Sequence, residues 1–184
     1  MRAHRIGSIA TFVLALAALA PSAQAATGSI LYNFLHPCCG FPEGHLDLIN
    51  GNLFGTGQGD GYSGHHGQVF ELTNSSGTWT STSIHIFAGS DGSAPAAGIV
   101  QDSYGNLYGT TASGDTHGAG NVFYVYNSGG SWNFVKVWAF GATGDGANPT
   151  SDLQLDSSGN LYGTTQNGGA NGDGIVFELS LGTE

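Results

Sequence analysis

Residues 106–110 read Asn-Leu-Tyr-Gly-Thr, and the same pattern recurs at 160–164 and, with Phe in place of Tyr, at 52–56. Successive occurrences are therefore 54 residues apart. Val-Phe pairs at 69, 122 and 176 keep nearly the same spacing. Periods of this size indicate a copied supersecondary unit, because a single unit cannot bury its own apolar face and must stack on its neighbours.

Each repeat contains four short β-type runs and no helical pattern. In the second repeat these runs cover 79–87, 99–101, 106–111 and 122–126, and they have the alternation and turn boundaries typical of strands. Asp, Ser and Gly at 102–105 and 156–159, and Asn, Ser and Gly at 74–77 and 127–130, favour tight hairpin turns. We predict an all-β fold of three ~54-residue repeats, each a four-stranded antiparallel blade-like sheet, in an incomplete or open β-propeller-like arrangement.

The order of the runs leaves the overall assembly open. Labelled d, a, b and c in the order in which the chain meets them, they begin with a d run at 30–34 and end with a c run at 175–179. In closed propellers an N-terminal strand often completes the last blade, but three blades fall short of the usual four to eight. Either the chain is part of a longer repeat array, or copies of it associate, or the three units form a compact assembly of another kind.

The N-terminus has the features of a signal peptide. A short basic segment precedes an apolar run at 9–20, and Ala23-Gln24-Ala25 fits the small-x-small cleavage rule. The apolar run is too short to span a bilayer, and no second such run follows. We divide the chain into a signal peptide (1–25) and three repeats (26–72, 73–125 and 126–184), and we expect a secreted or extracytoplasmic protein without a transmembrane segment after cleavage.

Composition narrows the classes of function. Charged residues make up only 9% of the chain, its net charge is −10, and it contains 3 Lys and Arg against 13 Asp and Glu. Nucleic acid is excluded as a partner because phosphate binding needs clustered basic residues. The 40% hydrophobic and 11% aromatic content is too high for a disordered chain, despite the 32 glycines.

Gly105 to Thr111, followed by a glycine-rich loop and Val122-Phe123, and the similar segments at 159–169 and 174–179, resemble the GloVer tandem repeat. The resemblance covers nearly all of residues 28–180. It implies a bacterial exported protein, located in some members at the cell surface through a C-terminal anchor, and it provides no catalytic residues that could be transferred to this chain. The first repeat departs from the pattern at 54–57, and without an anchor segment after Glu184 we expect a secreted or truncated chain.

The unusual side chains fall in two sets of long links, d-to-a and b-to-c, which should emerge on one face, whereas the opposite face carries the tight turns. Long loops on a rigid scaffold are where binding residues concentrate.

His65, His66 and His117 could converge on a metal or act as a base, or they are solvated loop residues. Calcium is an alternative for the Asp- and Asn-rich loops, which turn formation also explains. The candidate ligand-binding residues are His36, Glu43, His45, His65, His66, Asp115, His117 and Asp173.

Two further features have competing interpretations. Cys38 and Cys39 are adjacent and are the 2 cysteines of the chain, so they form a strained vicinal disulfide, stay free or pair between molecules. Tyr32, His85 and Trp138 share one register of the d runs, where they could stack on a sugar or pack between sheets.

No catalytic motif is found, and we therefore expect a non-enzymatic binding or surface-interaction module. Its partner would be a glycan, a cell-envelope component or a protein, met by the face that carries the long loops. The alternative is a propeller-type, metal-assisted lyase or hydrolase that uses loop histidines.

Overall fold

The computed structural model describes residues 27–34, 40–60 and 64–181. Its strands, in chain order, are β1 (Pro42–Ile49), β2 (Asn52–Gly57), β3 (Gln68–Ser75), β4 (Thr78–Ile86), β5 (Val100–Gln101), β6 (Leu107–Thr111), β7 (Asn121–Ser128), β8 (Ser131–Ala139), β9 (Gly146–Pro149), β10 (Gln154–Leu155), β11 (Asn160–Gly168) and β12 (Val176–Ser180). In this part of the chain, no helix is long and apolar enough to cross a membrane.

The strands form three four-stranded antiparallel sheets, which confirms the predicted all-β, blade-like fold. The first sheet has the order β1-β2-β3-β4 and the second has the order β5-β6-β7-β8. In the third, β10, β11 and β12 follow the same order, and β9 pairs with β11. Each complete sheet thus combines the a, b and c runs with the d run that follows them.

Two details of the strand prediction are wrong. The d run at 30–34 forms no strand, and β9 overlaps the d-to-a link before the third repeat, which we predicted at 141–148. The physical reason for the first is that Phe34 packs on Phe70 of β3, and β3 is already paired on both sides, by β2 and β4, so among the described residues no strand edge is open beside residues 30–34. In the third sheet β9 instead pairs with the end of β11, which extends to Gly168.

The glycine of the Asn-Leu-Tyr-Gly-Thr pattern lets an aromatic ring lie across the neighbouring strand. Gly109 pairs with Phe123 in the β6–β7 ladder, and a Cβ added to Gly109 would lie 2.7 Å from Cζ of Phe123. Gly163 and Phe177 have the same relation in the third sheet. The repeated glycine is thus a packing requirement of the repeat.

The a-to-b hairpin of the second sheet is held by one carboxylate. Asp102 Oδ1 accepts hydrogen bonds from the backbone N–H groups of Tyr104 and Asn106, both at 2.9 Å. Asp102 Oδ2 accepts from Asn106 Nδ2 at 2.7 Å and from the Tyr108 hydroxyl at 3.1 Å. Burial, and then the negative charge of Asp102, raise the pKa of Tyr108 to about 12.

The third sheet repeats this network with Asp156, Asn160 and Tyr162. Hydrogen bonds from Asn160, first from its backbone N–H, lower the pKa of Asp156. Desolvation and the charges of Glu178 and Asp156 raise the pKa of Tyr162. The first sheet has Leu48 and Phe54 at the positions of Asp102 and Tyr108, so the acid and the hydroxyl are absent from that hairpin together.

The core consists of two clusters, each lying between successive sheets. The cluster between the first and second sheets contains Phe54, Val69, Ile84, Phe87, Ile99, Leu107, Phe123 and Val125. The cluster between the second and third sheets contains Tyr108, Ala119, Val122, Phe140, Leu153, Leu161 and Phe177. Because the apolar side chains of each sheet are buried by the next sheet, the stacking of repeats stabilises the fold.

Candidate functional site

The long links of neighbouring sheets are joined by backbone hydrogen bonds into one continuous surface, which we call the loop face. The d-to-a link between the first two sheets bonds to the first b-to-c loop through Ala94 N and His66 O at 2.9 Å. It also bonds to the second b-to-c loop through Asp115 N and Gly89 O at 2.9 Å. Asn148 N and Ala119 O, at 2.8 Å, continue the surface toward the third sheet. The two sets of long links therefore lie together.

The histidines of the first b-to-c loop have different partners. His65 Nδ1 lies 2.7 Å from Asp60 Oδ1, within the same loop. His66 Nδ1 lies 3.2 Å from the Ser93 hydroxyl, which belongs to the link that leads to the second sheet. The ring of His66 also packs closely on Gly89, where an added Cβ would lie 3.0 Å from ring atoms. Both histidines are half-buried, so their rings are fixed but still reach the surface.

A buried carboxylate organises the second b-to-c loop. The side chain of Asp115 is 1% exposed, and its Oδ1 accepts a hydrogen bond from Lys136 Nζ at 2.6 Å. Asp115 Oδ2 accepts from Asn121 Nδ2 at 3.2 Å. Desolvation would raise the pKa of Asp115, but hydrogen bonds from Lys136, Thr116 and Asn121 together hold it below the usual value. Asp115 is therefore a structural anion that fixes this loop and occupies the single lysine of the chain.

One residue from each of the three repeats takes part in a contact centred on a histidine–aspartate pair. His45 Nδ1 of the first sheet lies 3.0 Å from Oδ2 of Asp152, which belongs to the third repeat. Asp152 Oδ1 accepts a hydrogen bond from the backbone N–H of Gly98 in the second repeat, at 2.6 Å. Asp152 was not among the predicted site residues, although it stands out by sequence as the acid at the position of Gly44 and Gly98 in the 54-residue spacing.

The remaining candidate residues are distributed over separate parts of the surface. Glu43 is exposed on β1, and His117 and Asp173 are exposed on the second and third b-to-c loops. His36, Cys38 and Cys39 lie outside the described residues. Within the described ranges, no group of three or more His, Cys, Asp or Glu side chains is placed to hold a metal ion, so His65, His66 and His117 do not converge on one.

Equivalent d-strand rings on β4 and β8 bind equivalent carboxylates. His85 Nε2 lies 2.9 Å from Asp91 Oδ2, and Trp138 Nε1 donates to Asp145 Oδ2 at 3.0 Å. Their surroundings differ, because His85 stacks on Phe134 at a centroid distance of 4.2 Å whereas Trp138 is 45% exposed. Packing between sheets thus accounts for His85 but not for Trp138.

The sequence model described as the Gloeobacter/Verrucomicrobia repeat matches residues 17–184 of this chain. No curated protein and no solved structure matches the chain.

Proposed function

Because the chain belongs to the Gloeobacter/Verrucomicrobia repeat family, we propose that it is an exported, non-enzymatic binding module that uses its loop face to hold an uncharged glycan. The observation that carries the proposal is the bridge between His66 and Ser93. It joins side chains from two successive sheets at 3.2 Å, on loops whose backbones are themselves hydrogen-bonded. A polar surface that is already ordered costs little entropy when a ligand binds.

The net charge of the chain disfavours an anionic ligand. The chain has a net charge of −10, and Lys136 is engaged by Asp115, so an anionic polysaccharide would be repelled. Half-buried imidazole, carboxylate and hydroxyl groups supply both donors and acceptors, the combination that sugar hydroxyls require. His65 and His66 are adjacent in the first b-to-c loop, where His65 pairs with Asp60 of the same loop and His66 pairs with Ser93 of the following d-to-a link.

The contrast between the two faces supports the same assignment. The tight-turn hairpins of the second and third sheets repeat one network, with Asp102 and Asp156 in the same role. The b-to-c loops differ instead, with the half-buried His66 bonded to Ser93 in the first and the buried Asp115 bonded to Lys136 in the second. A constant scaffold with varied loops is how repeat proteins acquire a specific ligand.

The test is a neutral-glycan array, followed by calorimetric titration of the best ligand against the purified protein. We expect His66→Ala and Ser93→Ala each to weaken binding about 3- to 10-fold, which corresponds to the loss of one hydrogen bond. Asn127→Ala is the matched control, because Asn127 accepts a turn hydrogen bond from Gly130 N at 3.0 Å on the opposite face. Binding to no neutral glycan, or binding that is lost in Asn127→Ala and kept in both loop variants, would overturn the proposal.

A further inference from the structure

In the described part of the chain, the c strand of the third sheet, β12, has an unpaired edge, whereas the c strands of the first and second sheets are paired on both sides. In the first and second sheets the c strand lies between a b strand and a d strand, as β3 lies between β2 and β4. Among the described residues, β12 pairs with β11 alone. An unpaired strand edge of this kind presents free donors and acceptors to another strand.

The apolar face beside that edge is uncovered as well. Val69, Val122 and Val176 occupy the same position of the repeat, and they are 0%, 0% and 80% exposed. Trp138 is 45% exposed at the position where His85 stacks on a ring from the next sheet. The third sheet therefore has the surface of an internal sheet without the neighbour that buries it.

The N-terminal d run supplies the complementary half. Phe34, Phe87 and Phe140 are spaced 53 residues apart, and each packs on a c-strand phenylalanine. Their partners are Phe70, Phe123 and Phe177, at centroid distances of 4.9, 5.3 and 5.1 Å. Phe34 thus sits where the d strand of a sheet before the first one would place it. No strand pairs with residues 30–34 in the described part of the chain, and Ile30 is 80% exposed.

We propose that two copies of this chain associate by reciprocal strand addition, with residues 30–34 of each copy pairing antiparallel to β12 of the other. Within the described residues of one copy, residues 30–34 form no strand and Phe34 packs on the first sheet, so β12 has no d strand of its own. Two copies give six sheets, which falls within the usual four to eight of closed propellers, and the two-fold exchange pairs the open edge of β12 in both copies.

The repeat spacing fixes the register of the added strand. In the second sheet Val122 pairs with Trp138 and Phe123 with Lys136, across a bulge. The first sheet has the same bulge, with Val69 opposite His85. Moved along the chain by the repeat offset, this pattern puts Val176 opposite Tyr32 of the second copy. Phe177 then lies opposite Ile30.

The first measurement is the mass of the purified protein in solution, by light scattering and sedimentation. We expect twice the mass of one chain. Val176→Lys places a charge at the buried junction, and Ile30→Pro removes a ladder donor from a residue that is exposed in the single chain, so each variant is expected to be monomeric. Tyr104→Lys is the matched control, because Tyr104 lies in a tight a-to-b turn away from β12 and is 91% exposed. We expect this variant to stay dimeric.

The second measurement tests the register independently. Tyr32→Cys combined with Val176→Cys, in a background carrying Cys38→Ser and Cys39→Ser, should form a disulfide between two copies under mild oxidation. Tyr32→Cys combined with Tyr104→Cys should not. A monomeric parent protein, a mass above two chains, or a dimer that persists in both Val176→Lys and Ile30→Pro would overturn the proposal. So would a dimeric protein in which positions 32 and 176 do not cross-link. A protein that dimerises but binds no glycan would refute only the proposed function.

Discussion

The carboxylate–tyrosine pair of the second hairpin allows a quantitative test, because the first repeat shows its natural replacement. Asp102→Leu and Tyr108→Phe convert the pair into the Leu48 and Phe54 found in the first sheet. If the Tyr108 hydroxyl stabilises the fold only through its hydrogen bond to Asp102, the effects of the two substitutions on the free energy of unfolding must be strongly coupled. If the residues act independently, their effects on the free energy of unfolding add.

The magnitudes follow from the contacts. Tyr108 is 5% exposed and its hydroxyl donates to Asp102 at 3.1 Å, so Tyr108→Phe in the parent protein should cost about 1–2 kcal/mol. Asp102→Leu also removes the acceptor of two backbone N–H groups and of Asn106 Nδ2, and should cost about 2–4 kcal/mol. Adding Tyr108→Phe to Asp102→Leu should then cost less than ~0.5 kcal/mol, which makes the coupling energy about 1–2 kcal/mol.

The assay is equilibrium unfolding in urea of the parent protein, both single variants and the double variant. All four are measured at one protein concentration, and the dependence on urea must be the same for each. Asn127→Ala paired with Tyr108→Phe serves as a control cycle, because Asn127 lies in a different hairpin and should show no coupling. A coupling energy between Asp102 and Tyr108 below ~0.5 kcal/mol would refute the reasoning, whatever the single costs.

Two further predictions concern pH. The raised pKa of Tyr108, about 12, means that the folded state favours the neutral phenol. The stability that this contributes is fully present below pH ~10, the pKa of the unfolded state, and is lost as the pH rises toward ~12. Urea unfolding between about pH 9 and 12 should therefore show a smaller fall in the free energy of unfolding for Tyr108→Phe than for the parent protein. The lowered pKa of Asp115 gives the opposite pH dependence: its contribution to stability is present above pH ~4 and is lost as the pH falls through the pKa of the folded state. Asp115→Asn should therefore be less stable than the parent at pH 7, and its stability should fall less steeply below pH 4; equal slopes would contradict the assignment.

The sequence alone was sufficient for those features that local chemistry determines. The period of Asn-Leu-Tyr-Gly-Thr, the alternation within the runs of the second repeat and the Asp102 turn predicted three sheets of antiparallel strands, because strand period and turn geometry depend on neighbouring residues. The sequence also indicated that the two sets of long links share a face, and their backbone hydrogen bonds confirm that they lie together.

Only the tertiary structure decided which equivalent positions have equivalent surroundings. Val69 and Val176 both begin the sequence Val-Phe-Glu-Leu, yet the first is fully buried and the second is 80% exposed, because burial depends on whether another sheet packs on that face. Residues 30–34 have the pattern of a strand but no open c strand beside them. Asp152 meets His45 because the inner ends of the sheets converge, a contact between residues far apart in the chain. Local pattern determines what a segment can form, whereas its burial and its partners depend on what the rest of the fold places next to it.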